Sequence, residues 1–432
     1  MPVPSLSASI EELLDQANAE NRGFYTGRYL VTYKQDAHSE TAQRLRFSDD
    51  TRIASAEDFS ESAIDFTTLG NAQSLMLPQI SVAVVTPPAD GAAMVTALAA
   101  DESGLIESVD PETFVFIASD SWRHYLRGFA AASDRIRQDL IGAEAAPVLA
   151  PETEFEQEAV TADVTWGLVA TRVTASRFSG RGIKVAVLDT GFDLSHPDFA
   201  GRSIVSATFV GQPVQDRHGH GTHCIGTACG PRAPVGVPRY GIAYESQIFA
   251  GKVLSNGGSS VGGSVLAGMN WAVANRCEVI SMSLEGPGGP VPAFTNAGRA
   301  ALDAGCLMVA AAGNESRRPT VIAPTGSPAN SPTIISVAAV DERLNVAPFS
   351  NGGKVEIAGP GVNVLSSWIM PKRYNTISGT SMATPHVAGV ASLFAQSNPG
   401  LRGRALWEAL TARARHLPLP PRDVGAGLVQ AP

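Results

Sequence analysis

Apolar and polar positions along this chain follow two regimes. Residues 10–14 (Ile10-Glu11-Glu12-Leu13-Leu14) carry a short amphipathic pattern preceded by Ser7 and Ser9, either of which suits an N-cap, and predict a short helix with no function attached. From Gly27 the period becomes that of a strand (GRYLVTYK). A polar helix over 39–45, a strand over 79–85, a helix over 90–100 and a strand pair between 105 and 118 follow. That order predicts a small α+β unit of ferredoxin-like type, whose antiparallel sheet buries one face against two helices. Trp122, Tyr125, Leu126, Phe129, Ile136 and Leu140 then recur at helical spacing and predict a helix over 121–141, ended by Gly142. The following GAEAAPVLAPETEFEQEA carries prolines and acids and reads as an exposed linker open to proteases, its acidity serving solubility.

Beyond about residue 161 the pattern changes. Continuous apolar runs at 183–188, 247–253, 278–283, 306–312, 334–340 and 355–358 alternate with helical patterns opening near His220, at 264–275, at 292–304 and after Ser381. Uninterrupted apolar strands separated by helices predict a doubly wound, mostly parallel sheet covered on both faces. The chain thus divides into an N-terminal extension (1–23), an α+β domain (24–118), a helix and linker (119–160) and an α/β domain (161–432).

Composition narrows the function. With 432 residues, 44% hydrophobic and 17% charged, there is enough chain for two domains and no sign of wholesale disorder. A net charge of -9 offers no basic footprint for nucleic acid, and no apolar run is long enough to span a membrane. The N-terminus lacks a basic segment followed by an apolar one, so the chain as given reads as cytoplasmic; a leader upstream would make it secreted. Cys224, Cys229, Cys277 and Cys306 show no CxxC pair and read as buried thiols, with one bridge possible.

Candidate chemistry gathers at a few points. In Ile377-Ser378-Gly379-Thr380-Ser381, a small flexible turn places Ser381 at the start of an apolar helix, where free backbone N–H groups can face an anion. An alcohol is a weak nucleophile without a base beside it. The stretch Asp216-Arg217-His218-Gly219-His220-Gly221-Thr222-His223 supplies histidines; a zinc site is a weak reading because the cysteines that follow are irregularly spaced. Gly219 and Gly221 suggest a close backbone approach at His220, which makes His220 the base, His223 a helix residue in local hydrogen bonds and His218 a surface residue. Asp189 ends the apolar strand KVAVLD, where open α/β sheets collect functional groups, and equally suits a helix N-cap.

The motifs DTGFDLSHPD, HGHGTHCIGT, AAAGNE and SGTSMATPHVAG, in the order acid, histidine, serine, resemble those of the subtilisin-like serine peptidases, and Cys224 after HGTH resembles the proteinase K branch. The resemblance covers about residues 165–428. It implies a serine endopeptidase with Asp189, His220 and Ser381 as triad and Asn314 as oxyanion donor, although Asn314 beside Gly313 also suits a left-handed turn. It implies that an extended peptide lies between Gly258-Ser259-Ser260 and Ser283-Leu284-Glu285-Gly286, with Ala312, Gly313, Glu315 and Thr380 also lining the site. Where the family often has glycine this chain has Glu285, which with Glu315 predicts tolerance of Lys or Arg at P1 beside the family's usual large apolar residues; both glutamates pointing to water is the competing expectation.

No cofactor is implied beyond calcium, and Asp198 is the one candidate ligand, because PRAPVGVPRYGIA replaces the expected asparagine-bearing loop. Residues 27–118 resemble the family's inhibitory propeptide, which packs on the protease and sends its tail through the active site. That implies an intramolecular prodomain partner, protein or peptide substrates, and self-cleavage between Ala118 and Ala162. The alternatives are a processing peptidase dedicated to one precursor, or an inactive binding or chaperone-like module.

Overall fold

A computed structural model describes residues 5–47, 50–59, 63–87, 95, 97–100, 103–118 and 163–432. The helix expected at 121–141 and the acidic linker lie outside the described residues, as does most of the helix expected at 90–100, of which positions 95 and 97–99 are helical.

The chain opens with helix α1 (Ile10–Ala19). Of the two serines, Ser9 is the cap: its hydroxyl accepts from the Glu12 N–H, and the Glu12 carboxylate accepts from the Ser9 N–H at 2.8 Å. Ile10, Leu13, Leu14 and Ala17 form its buried face. Next come β1 (Tyr25–Tyr33), α2 (His38–Arg44), β2 (Ile53–Ser55), β3 (Ser74–Leu77), β4 (Val82–Val85) and β5 (Ile106–Ile117). In the sheet they run β5-β1-β4-β3-β2. β1, β3, β4 and β5 pair antiparallel and β2 adds in parallel to β3.

Two expectations change here. The strand expected at 79–85 starts as a 3-10 turn at Pro78–Ile80 and is extended only from Val82. The strand pair at 105–118 is one twelve-residue strand, β5. Asp110-Pro111 reads as a turn in sequence, yet Pro111 lies within β5 opposite Tyr29. The proline's missing N–H is tolerated beside a register shift between Tyr25 and Tyr29 of β1.

The larger unit begins with α3 (Trp166–Ala170), β6 (Lys184–Asp189), β7 (Ile204–Thr208), α4 (His220–Cys229) and β8 (Gln247–Lys252). It continues through β9 (Ser259–Val261), α5 (Gly262–Ala274), β10 (Val279–Met282), β11 (Leu284–Glu285) and α6 (Pro292–Asp303). β12 (Leu307–Ala311), β13 (Ile335–Val340), β14 (Ile357–Pro360), β15 (Val364–Ser367), β16 (Tyr374–Ile377) and α7 (Thr380–Ser397) follow. Seven parallel strands, ordered β14-β13-β12-β10-β6-β8-β7, make the central sheet. Helices α4 and α7 pack on one face through Ile225, Ala228, Val387 and Ala391, and α5 and α6 cover the other. This is the doubly wound α/β architecture expected.

The smaller sheet docks on α5 and α6, so that Leu30, Leu75, Leu77, Val82 and Val84 share one core with Val265, Leu266, Met269, Phe294 and Ala297. Polar contacts fix the register of that dock. Asn270 Oδ1 accepts from the Gln79 N–H at 3.0 Å, and Asn296 Nδ2 donates to the Ile80 carbonyl at 3.0 Å. Glu112 of β5 accepts from the Gly263 N–H at 2.7 Å, satisfying a free donor in the first turn of α5. Arg28 holds the same carboxylate through two bonds of 2.6 and 3.0 Å, and both side chains are fully buried. The four cysteines are free and buried, and among the described residues no helix is long and apolar enough to cross a membrane.

Candidate active site

Asp189 sits at the carboxyl end of β6, where the parallel sheet opens. Its Oδ1 lies 2.8 Å from His220 Nδ1 and also accepts from the Thr190 N–H at 2.7 Å; both side chains are buried. His220 is the first residue of α4. The flanking glycines have identifiable neighbours: a Cβ on Gly219 (φ +102°) would fall 2.3 Å from the Trp368 ring, and one on Gly221 would fall 2.3 Å from the Gly191 carbonyl oxygen. Burial disfavours the His220 imidazolium, but the Asp189 carboxylate outweighs it and holds the histidine's pKa well above its ordinary value.

Ser381 is the second residue of α7. Four residues on stands Pro385, which has no N–H to offer the Ser381 carbonyl in the helical ladder. That carbonyl instead accepts from Ser283 Oγ at 2.7 Å and Cys224 Sγ at 3.6 Å, tying the start of α7 to both neighbouring segments. The Ser381 hydroxyl donates to the Ala118 carbonyl oxygen at 2.8 Å. Asn314 Nδ2 donates to the same oxygen. The amide of Asn314 is oriented by Thr380, whose N–H and hydroxyl both donate to Oδ1 at 2.9 Å. Among the described residues buried His220 Nε2 has no hydrogen-bond partner, and the Ser381–His220 link expected of a triad is replaced here by the bond to Ala118.

The chain's own β5 lies in the groove predicted for an extended peptide. Phe114, Val115 and Phe116 pair antiparallel with Val261, Ser260 and Ser259, and Ile117 and Phe116 pair with Leu284 and Glu285. The Ile117 N–H donates to Gly258 at 2.9 Å and the Ala118 N–H to Ser283 at 3.4 Å. Gly286 instead exchanges two hydrogen bonds with Ser327, at 2.6 and 3.1 Å, and Ala312 accepts from Gly326 at 3.0 Å; both belong to the wall behind the strand.

Several placements depart from the sequence expectation. Thr380 is wholly buried and serves Asn314. His218 is half-buried, its ring 6.2 Å from that of His220; burial and then the neighbouring histidine lower its pKa. His223 Nε2 bonds the Val364 carbonyl at 3.0 Å, tying α4 to β15 rather than to its own turn, and burial keeps it neutral with a pKa of about 3. The three histidines do not converge; the one cluster of three metal-capable side chains among the described residues is Asp189, His220 and Cys224. Asp198 is enclosed by donors, Tyr240 Oη at 2.6 Å and Tyr374 Oη and Arg373 Nη2 each at 2.9 Å, and is ion-paired with Arg373.

Two residues escaped the sequence reading. Asp216 accepts from the His218 and Gly219 N–H groups, both at 2.9 Å, and from Thr190 and Thr222, and so shapes the turn into α4. An aspartate four residues ahead of the helix start was the available signal. Lys252 lies under the site with its ammonium on the Thr190 carbonyl, and burial lowers its pKa to about 8; nothing local in the sequence marks it.

The family model described as "Subtilase family" matches residues 180–427. A cuticle-degrading serine protease of Arthrobotrys oligospora is 35% identical over 66% of this chain and 70% of its own length. A cuticle-degrading protease of Metarhizium anisopliae is 41% identical over 50% of this chain and 54% of its own. A solved cold-adapted subtilisin-like serine proteinase superposes with a TM-score of 0.52 at 34% identity, over 62% of this chain and 97% of that one.

Proposed function

This chain belongs to the subtilase family, whose peptidases act on proteins or peptides, and from that premise we propose that it is a serine endopeptidase in its zymogen form, inhibited by its own residues 24–118 and poised to cut the Ala118–Ser119 bond. The observation that carries this reading is the Ala118 carbonyl oxygen, which accepts from both Ser381 Oγ, at 2.8 Å, and Asn314 Nδ2. The strand leading to it is hydrogen-bonded along both edges, which fixes the carbonyl in reach of attack.

In this reading Ser381 Oγ adds to the Ala118 carbonyl carbon and passes its proton to His220 Nε2, while Asp189 holds the imidazole by Nδ1 and stabilises its charged form. The oxygen becomes negative against Asn314, whose amide is already oriented by Thr380. Collapse breaks the Ala118–Ser119 bond, His220 returns the proton to the leaving amine, and water releases the Ala118 carboxylate from Ser381. All four groups needed for these steps are present, which favours this reading over an inactive binding module.

Intact mass spectrometry tests it. Wild type should separate into fragments 1–118 and 119–432, with Ser381→Ala remaining whole. A wild type that stays whole, or is first cut elsewhere, would overturn the assignment.

A further inference from the structure

Segments 283–286, 312–315 and 324–327 are laced by the Gly286–Ser327 pair and the Gly326 to Ala312 bond, and Ala118 is hydrogen-bonded to the first two, through Ser283 and Asn314. They therefore enclose the space into which a P1 side chain would extend. Two acidic side chains enter it. Glu285 Oε2 lies 2.3 Å from where a Cβ on Gly313 would be and 3.0 Å from where one on Gly326 would be. Glu315 Oε2 lies 2.9 Å from the same point beside Gly313. Gly313 (φ +109°) and Gly326 thus leave room for carboxylates, and both acids converge on one wall. Asn351 Nδ2 donates to Glu315 at 2.6 Å and holds it in that position, while Glu285 is 3% exposed.

Resting on the peptidase reading above, we propose that Glu285, with Glu315 beside it, makes the P1 pocket select lysine or arginine. A carboxylate screened from water interacts with an opposite charge far more strongly than one on the surface, and a second carboxylate adds to the field that a cationic P1 side chain meets. Lysine and arginine carry their charge at the end of a flexible stem and can reach the wall of a deep pocket. Ala118 brings no charge. The self-cleavage it undergoes is intramolecular and draws on the effective concentration of a tethered strand, so it does not need the P1 contact that a free substrate uses.

The test separates charge from length. The self-processed enzyme is assayed on peptides identical except at P1, which is Lys, Arg, norleucine, Phe or Ala. Lysine should exceed its uncharged counterpart norleucine in kcat/KM by about tenfold or more. That ratio should fall towards one in Glu285→Gln and fall part-way in Glu315→Gln. Equal rates for lysine and norleucine in wild type would overturn the proposal, as would a preference for Ala alone, which would make Glu285 a plug. Hydrolysis of the Ala or Phe peptide in those cases would leave the peptidase reading intact, whereas failure on all five would remove both.

Discussion

Helix α1, which the sequence left without a task, buries Ile10, Leu13, Leu14 and Ala17 against Phe114 and Phe116 of β5 and against Val210 and Val261 of the larger unit. Val115 and Ile117, on the alternate face of β5, enter the core shared with α5 and α6. The strand in the groove is therefore held between helix and enzyme. Under the proposed cleavage at Ala118, α1 stays covalently with the N-terminal fragment, so only its contacts with Val210 and Val261 bear on release. Truncating a buried leucine to alanine costs about 2–5 kcal/mol in all. Two of the four partners outside the helix, Val210 and Val261, lie across the interface, so about 1–2 kcal/mol of the Leu13→Ala loss should fall on the hold between fragment and enzyme. That weakens the hold about five- to thirtyfold. The assay is initial hydrolysis of a fluorogenic peptide by the processed complex at fixed concentration, with Asp15→Ala, on the exposed face of α1, as control. Fragment and enzyme are freed in equal amounts, so free enzyme grows as the square root of that factor: Leu13→Ala should start about two- to fivefold faster and Asp15→Ala should not. If Leu13→Ala lowers the melting temperature of the Ser381→Ala chain but leaves the initial rate unchanged, the helix merely stabilises its own unit and the reasoning fails.

Two further outcomes follow from buried charge. Replacing Glu112 by alanine strands Arg28 without its partner and strips the Gly263 N–H of its acceptor, so the Ser381→Ala chain should lose about 3–5 kcal/mol in guanidinium unfolding. Loss below 1 kcal/mol would show that water replaces the carboxylate. In the proposed mechanism His220 must be neutral to take the proton from Ser381. With β5 in the groove, burial pushes its pKa down but Asp189 raises it further; the Asp189 contact is made within the larger unit and outlasts β5, so kcat/KM should climb with pH through a limb above the ordinary histidine range. Because the folded pKa is the higher one, the stability His220 contributes is fully present below the unfolded value and fades as pH rises through that same limb. Asp189→Asn should move the limb to lower pH, and an unmoved limb would assign it to another group.

The legible parts of the molecule were those written locally. KVAVLD announces both a buried strand and the acid at its end, and the glycines around His220 announce a tight passage whose walls, Trp368 and the Gly191 carbonyl, only the fold reveals. β3 and β7 went unread because four or five residues beside a proline or on a half-exposed edge carry little periodicity. β5 is one strand where a pair was expected: Pro111 lacks an N–H for the ladder, and a register shift in the neighbouring strand accommodates it. The roles of Thr380, His223 and Glu112 depend on partners 66, 141 and 151 residues away, and no local pattern encodes them.

One strand, β5, is both a member of the N-terminal sheet and the occupant of the groove between β9 and β11. Its residues therefore answer to two selections at once. A substitution in residues 258–261 or 283–286 that admits a new diet of substrates also alters how firmly the molecule restrains itself before release. In the proposed zymogen, substrate choice and self-restraint are therefore inherited together, and a change of substrate calls for a matching edit at residues 114–118.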